Sequence, residues 1–176
     1  MTIWKEIQED FRRELELSTY DGEFRKLFHA LTAPGFQAVF GYRISRWLGK
    51  YRIPLLPVII QRCVEIWTGV SISPRTEIGP GFVIYHFGGI VINAHAVLGR
   101  DCTLHHGVTI GNRVPGGPSP KLGDSVHVGT GAVVLGGITI GNNAEIGANA
   151  VVLDSIPDRA IAVGIPAKVV RVKEPQ

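Results

Sequence analysis

The chain is short of features that define several protein classes, and each shortage excludes one. Cysteine occurs only at Cys63 and Cys102 in 176 residues, too few for a disulfide framework. That scarcity points to a reducing, cytoplasmic setting. No apolar run approaches the roughly 20 residues a helix needs to span a bilayer. The longest, IPLLPVII at 53–60, is broken by two prolines. The opening MTIWKEIQEDFRRELE is charged and amphipathic, unlike a signal peptide. Net charge is only +3, and the 18 Lys and Arg residues are scattered. No basic run interleaved with aromatics is present, so neither nucleic acid nor membrane is an expected partner.

Glycine is in excess, and the excess is localised: 17 of the 22 glycines lie beyond residue 69. There the sequence repeats. Aliphatic residues recur at Ile72, Ile78, Ile84, Ile90, Leu98, Leu104, Ile110, Leu122, Val128, Val134, Ile140, Ile146 and Val152. Every step is six residues except eight from Ile90 to Leu98 and twelve from Ile110 to Leu122. Seven of these residues are followed directly by glycine, as at Gly79, Gly99 and Gly123. Small or apolar residues follow four positions later, at Thr76, Cys102, Val108, Val126, Ala132, Ala144 and Ala150. A strict six with recurring glycine predicts a coil of short strands and tight turns. The aliphatic residues stack inside it, and Gly or Asn takes the bends. Cys102 then becomes a small core residue.

Residues 1–69 carry helical spacing instead. Ile3, Trp4, Ile7, Phe11 and Leu15 mark a first helix, and a second spans about Glu23 to Leu31, stopped by Pro34-Gly35. A third runs from about Phe36 to Leu48 with Phe36, Phe40, Ile44 and Leu48 on one face. A fourth follows the Pro54–Pro57 segment to about Trp67. The period changes near Val70, which divides a helical region, 1–69, from a coil, 70–173. The Gly/Pro-rich stretch 111–121 should leave the coil as a loop, and residues 156–173 should close it.

Three stretches resemble the serine O-acetyltransferases of the hexapeptide-repeat acyltransferases: PGFQAVFGYRISRWL (34–48), IGPGFVIYHFGGIVINAHAVLG (78–99) and VGIPAKVVR (163–171). The resemblance covers roughly residues 28–171. It implies a mainly β fold, a left-handed parallel β-helix with an N-terminal α-helical segment. It also implies acetyl-CoA-dependent transfer to a hydroxyl, with His86 as general base. Imidazole suits that step because its pKa near neutrality lets it take the hydroxyl proton and return it to the thiolate. Backbone N–H groups at glycine-rich turns would hold the oxyanion.

The chain departs from the family pattern on the acceptor side. Tyr85 and Ser71 stand where two aspartates support the histidine, so the expected holder of His86 is a backbone carbonyl or a hydroxyl. Pro118 and Ser119 stand where an Arg and a second His meet the amino acid. His105, His106 and Arg113 are further acceptor-side candidates. The resemblance places coenzyme A at Gly129, Thr130, Gly131, Gly147, Ala148, Ala167 and Lys168, with Arg171 and Lys173 adding positive charge. No metal is expected: the spacing of His86, His105, His106 and His127 is not that of the zinc-binding hexapeptide carbonic anhydrases. The expected assembly is a homotrimer with sites between subunits. With 69 residues before the coil, pairing of trimers is not expected. Nor is docking to the next enzyme of cysteine synthesis, because the tail ends in Pro-Gln rather than Ile. Serine or a related small alcohol is the implied acceptor. A sugar or exopolysaccharide precursor, and a non-catalytic scaffold, remain alternatives.

Overall fold

The computed structural model describes residues 2–174 apart from 52 and 87. Phe87 of the HFGG stretch and the closing Pro-Gln therefore lie outside the described residues. The repeat folds as a left-handed parallel β-helix of about 5 turns behind four helices. Each of the first four turns contributes one short strand to each of three faces. The first face stacks β1 (Val70–Ile72), β4 (Ile90–Ile92), β7 (Thr109–Gly111), β10 (Val133–Leu135) and β13 (Val151–Val152). The second stacks β2 (Glu77–Ile78), β5 (Val97–Leu98), β8 (Lys121–Leu122) and β11 (Thr139–Ile140). The third stacks β3 (Val83–Tyr85), β6 (Thr103–His105), β9 (His127–Val128), β12 (Glu145–Ile146), β14 (Ala160–Gly164) and β15 (Ala167–Val172), the last pair antiparallel. All the recurring aliphatic residues are buried, as are the small residues four positions later. Cys102 is fully buried, donates to the Gly123 carbonyl at 3.2 Å, and has its thiol pushed up to about 11 by burial.

The register corrects two expectations. The eight-residue step does not lie between Ile90 and Leu98. Ile92, not Ile90, stacks between Ile72 and Ile110, so the two extra residues fall between Ile84 and Ile92, at the corner that carries His86. Both Ile90 and Ile92 are buried, which is why the sequence leaves the phase ambiguous. The glycine directly after the aliphatic residue also has a different role from the one expected. It permits close approach: a Cβ on Gly79 would strike the Gly99 backbone. The left-handed residue comes three positions after the aliphatic one, as at Gly107, Gly131, Asn143 and Asn149.

The helices are α1 (Ile3–Glu16), α2 (Glu23–Thr32), α3 (Pro34–Lys50) and α4 (Leu56–Thr68). Pro34-Gly35 does not sit between helices but begins α3, where a proline lacking its N–H is tolerated. Gly69, at φ 64, ends α4. The expected apolar face of α3 is not the one buried on the coil. Phe40 is 41% exposed, and Phe36 packs on Phe11 of α1 at 5.1 Å between centroids. The buried side instead carries Ala38, Val39, Tyr42, Arg43 and Ser45, with Leu48 of the expected face buried beside them.

That choice has a physical reason. The first turn of a β-helix leaves strand-edge carbonyls without partners, and such an edge must be capped. Arg43 donates to the carbonyls of Ile78 and Gly79, both at 2.7 Å, and Tyr42 Oη to that of Thr76 at 2.7 Å. Arg46 also donates to the Thr76 carbonyl. From α1, Arg13 donates to the Cys102 carbonyl at 3.0 Å and to Thr103 Oγ1 at 2.9 Å. Asp10 holds Arg43 in a bidentate pair, each 1% exposed, and accepts the Phe82 N–H at 2.9 Å. The Y-R-I-S-R motif is thus a cap. None of the described helices is long and apolar enough to cross a membrane.

Candidate active site

The corner between the third and first faces gathers most of the predicted site. Gly89, Gly107, Gly131 and Asn149 stack there, all with positive φ. Backbone hydrogen bonds tie the stack: Gly107 N–H to the Gly88 carbonyl at 3.1 Å, Gly131 N–H to that of His106 at 2.9 Å, and Asn149 N–H to that of Thr130 at 2.8 Å. His106, Thr130 and Ala148 therefore lie one above another, as do His105, Gly129 and Gly147 just before them. His86 sits at the foot, at φ 69 and exposed. A non-glycine residue in that region is strained, and such strain concentrates at working sites.

Four aromatic rings surround this foot. His86 lies 5.5 Å from His106 and 6.2 Å from His105, and Tyr85 lies 5.1 Å from His105, centroid to centroid. His105 continues to His127 of the next turn, Nε2 to Nε2 at 3.1 Å. One ring must donate and the other accept, so at least one is neutral. Burial lowers the pKa of both. The neighbouring His127, His86 and His106 lower that of His105 further. Around His127, Glu145 works against the lowering, while Lys173 and Arg13 add to it. His106 Nδ1 is buried with no hydrogen-bond partner among the described residues. His86 makes no side-chain hydrogen bond among the described residues, so neither Ser71 nor Tyr85 holds it there. Ser71 lies on the first face opposite Val91.

A cleft of about 730 Å³ opens beside His86, Tyr85 and His105. Its other wall is helical: Glu14 of α1, Leu17, Ser18, Thr19 and Tyr20 after it, His29 of α2, and Ala33 to Gly35. Gly35 packs directly on the Ile84 carbonyl, where a Cβ would collide. Sequence reasoning missed this wall. The one available signal was Asp10 and Glu14 continuing the helical spacing of Ile3 and Ile7, charges on a face that should be apolar.

Other predicted residues are elsewhere. Ser119 is buried at the base of the loop, its hydroxyl within hydrogen-bond distance of Asn93 Oδ1 at 3.0 Å and of Asn112 Oδ1. Arg113, exposed on the loop, lies over Gly136. Neither lines the cleft. Ala167 is buried in β15, while Lys168 and Arg171 are exposed on it. Lys168 pairs loosely with Asp154 at 3.7 Å. Lys173 is engaged by Glu145 at 2.8 Å, which removes it from the expected basic cluster. Among the described residues no group of three or more His, Cys, Asp or Glu side chains is arranged to hold a metal ion.

Residues 119–154 match the family described as bacterial transferase hexapeptide (six repeats). Over 142 residues, 80% of this chain, the sequence is 41% identical to a serine acetyltransferase of Synechococcus elongatus and 40% identical to one of Helicobacter pylori. The match spans 58% of the Synechococcus protein, less than two thirds of its length, and 83% of the Helicobacter one. The crystal structure of Neisseria gonorrhoeae serine acetyltransferase in complex with serine superposes with a TM-score of 0.86 at 35% identity. That superposition covers 94% of this chain and 68% of the other.

Proposed function

This chain belongs to the serine acetyltransferase family, and on that premise we propose that it is an acetyl-CoA-dependent O-acetyltransferase with His86 as its general base. The observation that carries the proposal is the position of His86. It stands, strained and exposed, at the foot of the glycine corner and at the mouth of the cleft. His86 takes the proton of the acceptor hydroxyl as that oxygen bonds to the thioester carbonyl carbon. As the carbon–sulfur bond breaks, His86 gives the proton to the departing thiolate, leaving an acetyl ester and free coenzyme A.

Acetyl-CoA fits along the corner above His86, where Gly129, Thr130, Gly131, Gly147 and Ala148 keep side chains small. Lys168 and Arg171 would meet its phosphates. They sit at the far end of the third face, five strand spacings from β3, or about 24 Å at 4.8 Å each. The corner lies open along one prism, and a homotrimer would close it with a neighbouring prism, from which Arg113 could reach a shared site.

Serine is the acceptor proposed first, from the relatives. A sugar hydroxyl is the second reading, favoured by one observation: among the described residues no Arg or Lys lines the cleft, although a free carboxylate is best held by a guanidinium. Coenzyme A release measured with serine and with a panel of sugars separates the two. His86→Ala should lower turnover by about two orders of magnitude or more while coenzyme A binding is kept. An unchanged rate would remove His86 from the base role and turn attention to His105 and His106.

A further inference from the structure

Among the described residues, Glu14 is the one carboxylate that lines the cleft beside His86. It has no ion-pair or hydrogen-bond partner among the described residues, whereas Asp10, one helical turn earlier, is fully engaged by Arg43 and Phe82. The cleft wall around it is otherwise hydroxyls, rings and apolar groups: Ser18, Thr19, Tyr20, His29, Tyr85, His105 and Leu17. Glu14 is half-buried, and burial pushes its carboxyl up to about 7. Its charge also reaches Tyr85, whose phenol is raised by burial first and by Glu14 second, with Arg13 acting the other way. An unpaired carboxylate in partly dehydrated surroundings is unfavourable unless something else supplies the missing donor.

We infer that the missing donor comes from the acceptor: Glu14 binds an amino group that neighbours the hydroxyl to be acetylated. The acceptor class is then a small β-amino alcohol, of which serine is the simplest amino-acid case, or an amino sugar with the same vicinal pair. This rests on the acetyltransferase reading of the His86 cleft and adds a specificity residue from α1, outside the repeat. His86 would face the hydroxyl while Glu14, on the opposite wall, takes the ammonium. The two groups read neighbouring positions of one small molecule.

The test uses the full chain, the variant Glu14→Gln, and acceptor pairs that differ only in the amine: serine against 3-hydroxypropanoate, and glucosamine against glucose. For the amine-bearing member, Glu14→Gln should raise KM about 10- to 100-fold, the range expected for losing one charge-assisted hydrogen bond. The kcat should change little. For the member lacking the amine the variant and parent should match, so the preference for amines collapses. A parent that prefers amines and a variant that prefers them equally would overturn the inference while leaving the acetyltransferase reading intact. If the parent turns over none of the four, that reading fails, and calorimetric titration decides on Glu14 alone. Binding of serine or glucosamine by the parent and not by Glu14→Gln supports the inference. Equal binding, or none by either, overturns it.

Discussion

Removing the Asp10 carboxylate should unlatch the helical cap from the coil. In Asp10→Ala the Arg43 guanidinium, 1% exposed, loses its bidentate partner and keeps the carbonyls of Ile78 and Gly79 and a longer contact to Glu6 at 3.4 Å. The Phe82 N–H loses its acceptor as well. Breaking a buried pair by deleting one member costs about 3–5 kcal/mol, because the survivor stays buried and charged. Against a typical total of about 5–15 kcal/mol, that is a large loss. It corresponds to a fall in Tm of roughly 10 °C for a chain of this size. The assay is thermal unfolding at matched protein concentration, since assembly would otherwise shift Tm. Arg43→Met should cost a similar amount, and the double variant less than the sum of the two. Arg12→Ala, which breaks an exposed pair with Glu16 at 2.7 Å, serves as the control and should change little. Because α1 also carries Glu14, Asp10→Ala should raise the acceptor KM even at temperatures where the protein stays folded. A Tm within about 1 °C of the parent would refute the view that this pair anchors the cap.

Three further outcomes can be checked. Gly35→Ala should lower both Tm and kcat, because the added Cβ meets the Ile84 carbonyl two residues before His86. An unchanged kcat would show that α3 does not set the position of that strand. The histidine pair predicts acid sensitivity. His105 and His127 have folded-state pKa values held below their ordinary 6.5, chiefly by burial. The unfolded chain therefore binds more protons, and their contribution is complete above about 6.5 and lost as pH falls below it. Urea midpoints for the parent and His127→Gln should diverge above that value and converge below it. Glu14 acts with the opposite sign. Its raised value makes its contribution greatest below 4.5 and lost as pH rises through about 7. Glu14→Gln should therefore gain stability relative to the parent at alkaline pH.

The repeat by itself determined the coil. A side chain every six residues that must be aliphatic, with no room for a Cβ directly after it on one corner, leaves one way to stack, and every such residue is buried. His86 was singled out not by the repeat but by the likeness of residues 78–99 to the serine acetyltransferase pattern. Three things were decided only by the tertiary structure. The phase of the eight-residue step depended on whether Ile90 or Ile92 stacks on Ile72, and both are apolar. The buried face of α3 was chosen by unpaired strand-edge carbonyls that want Tyr42 and Arg43, a need invisible to a hydrophobic pattern that favours Phe36 and Phe40. The helical wall of the cleft carries Glu14, Tyr20 and His29, which lie more than fifty residues from His86 in sequence. Their meeting follows from how the helices cap the first turn, and that docking is a property of surfaces that exist only once both parts have folded.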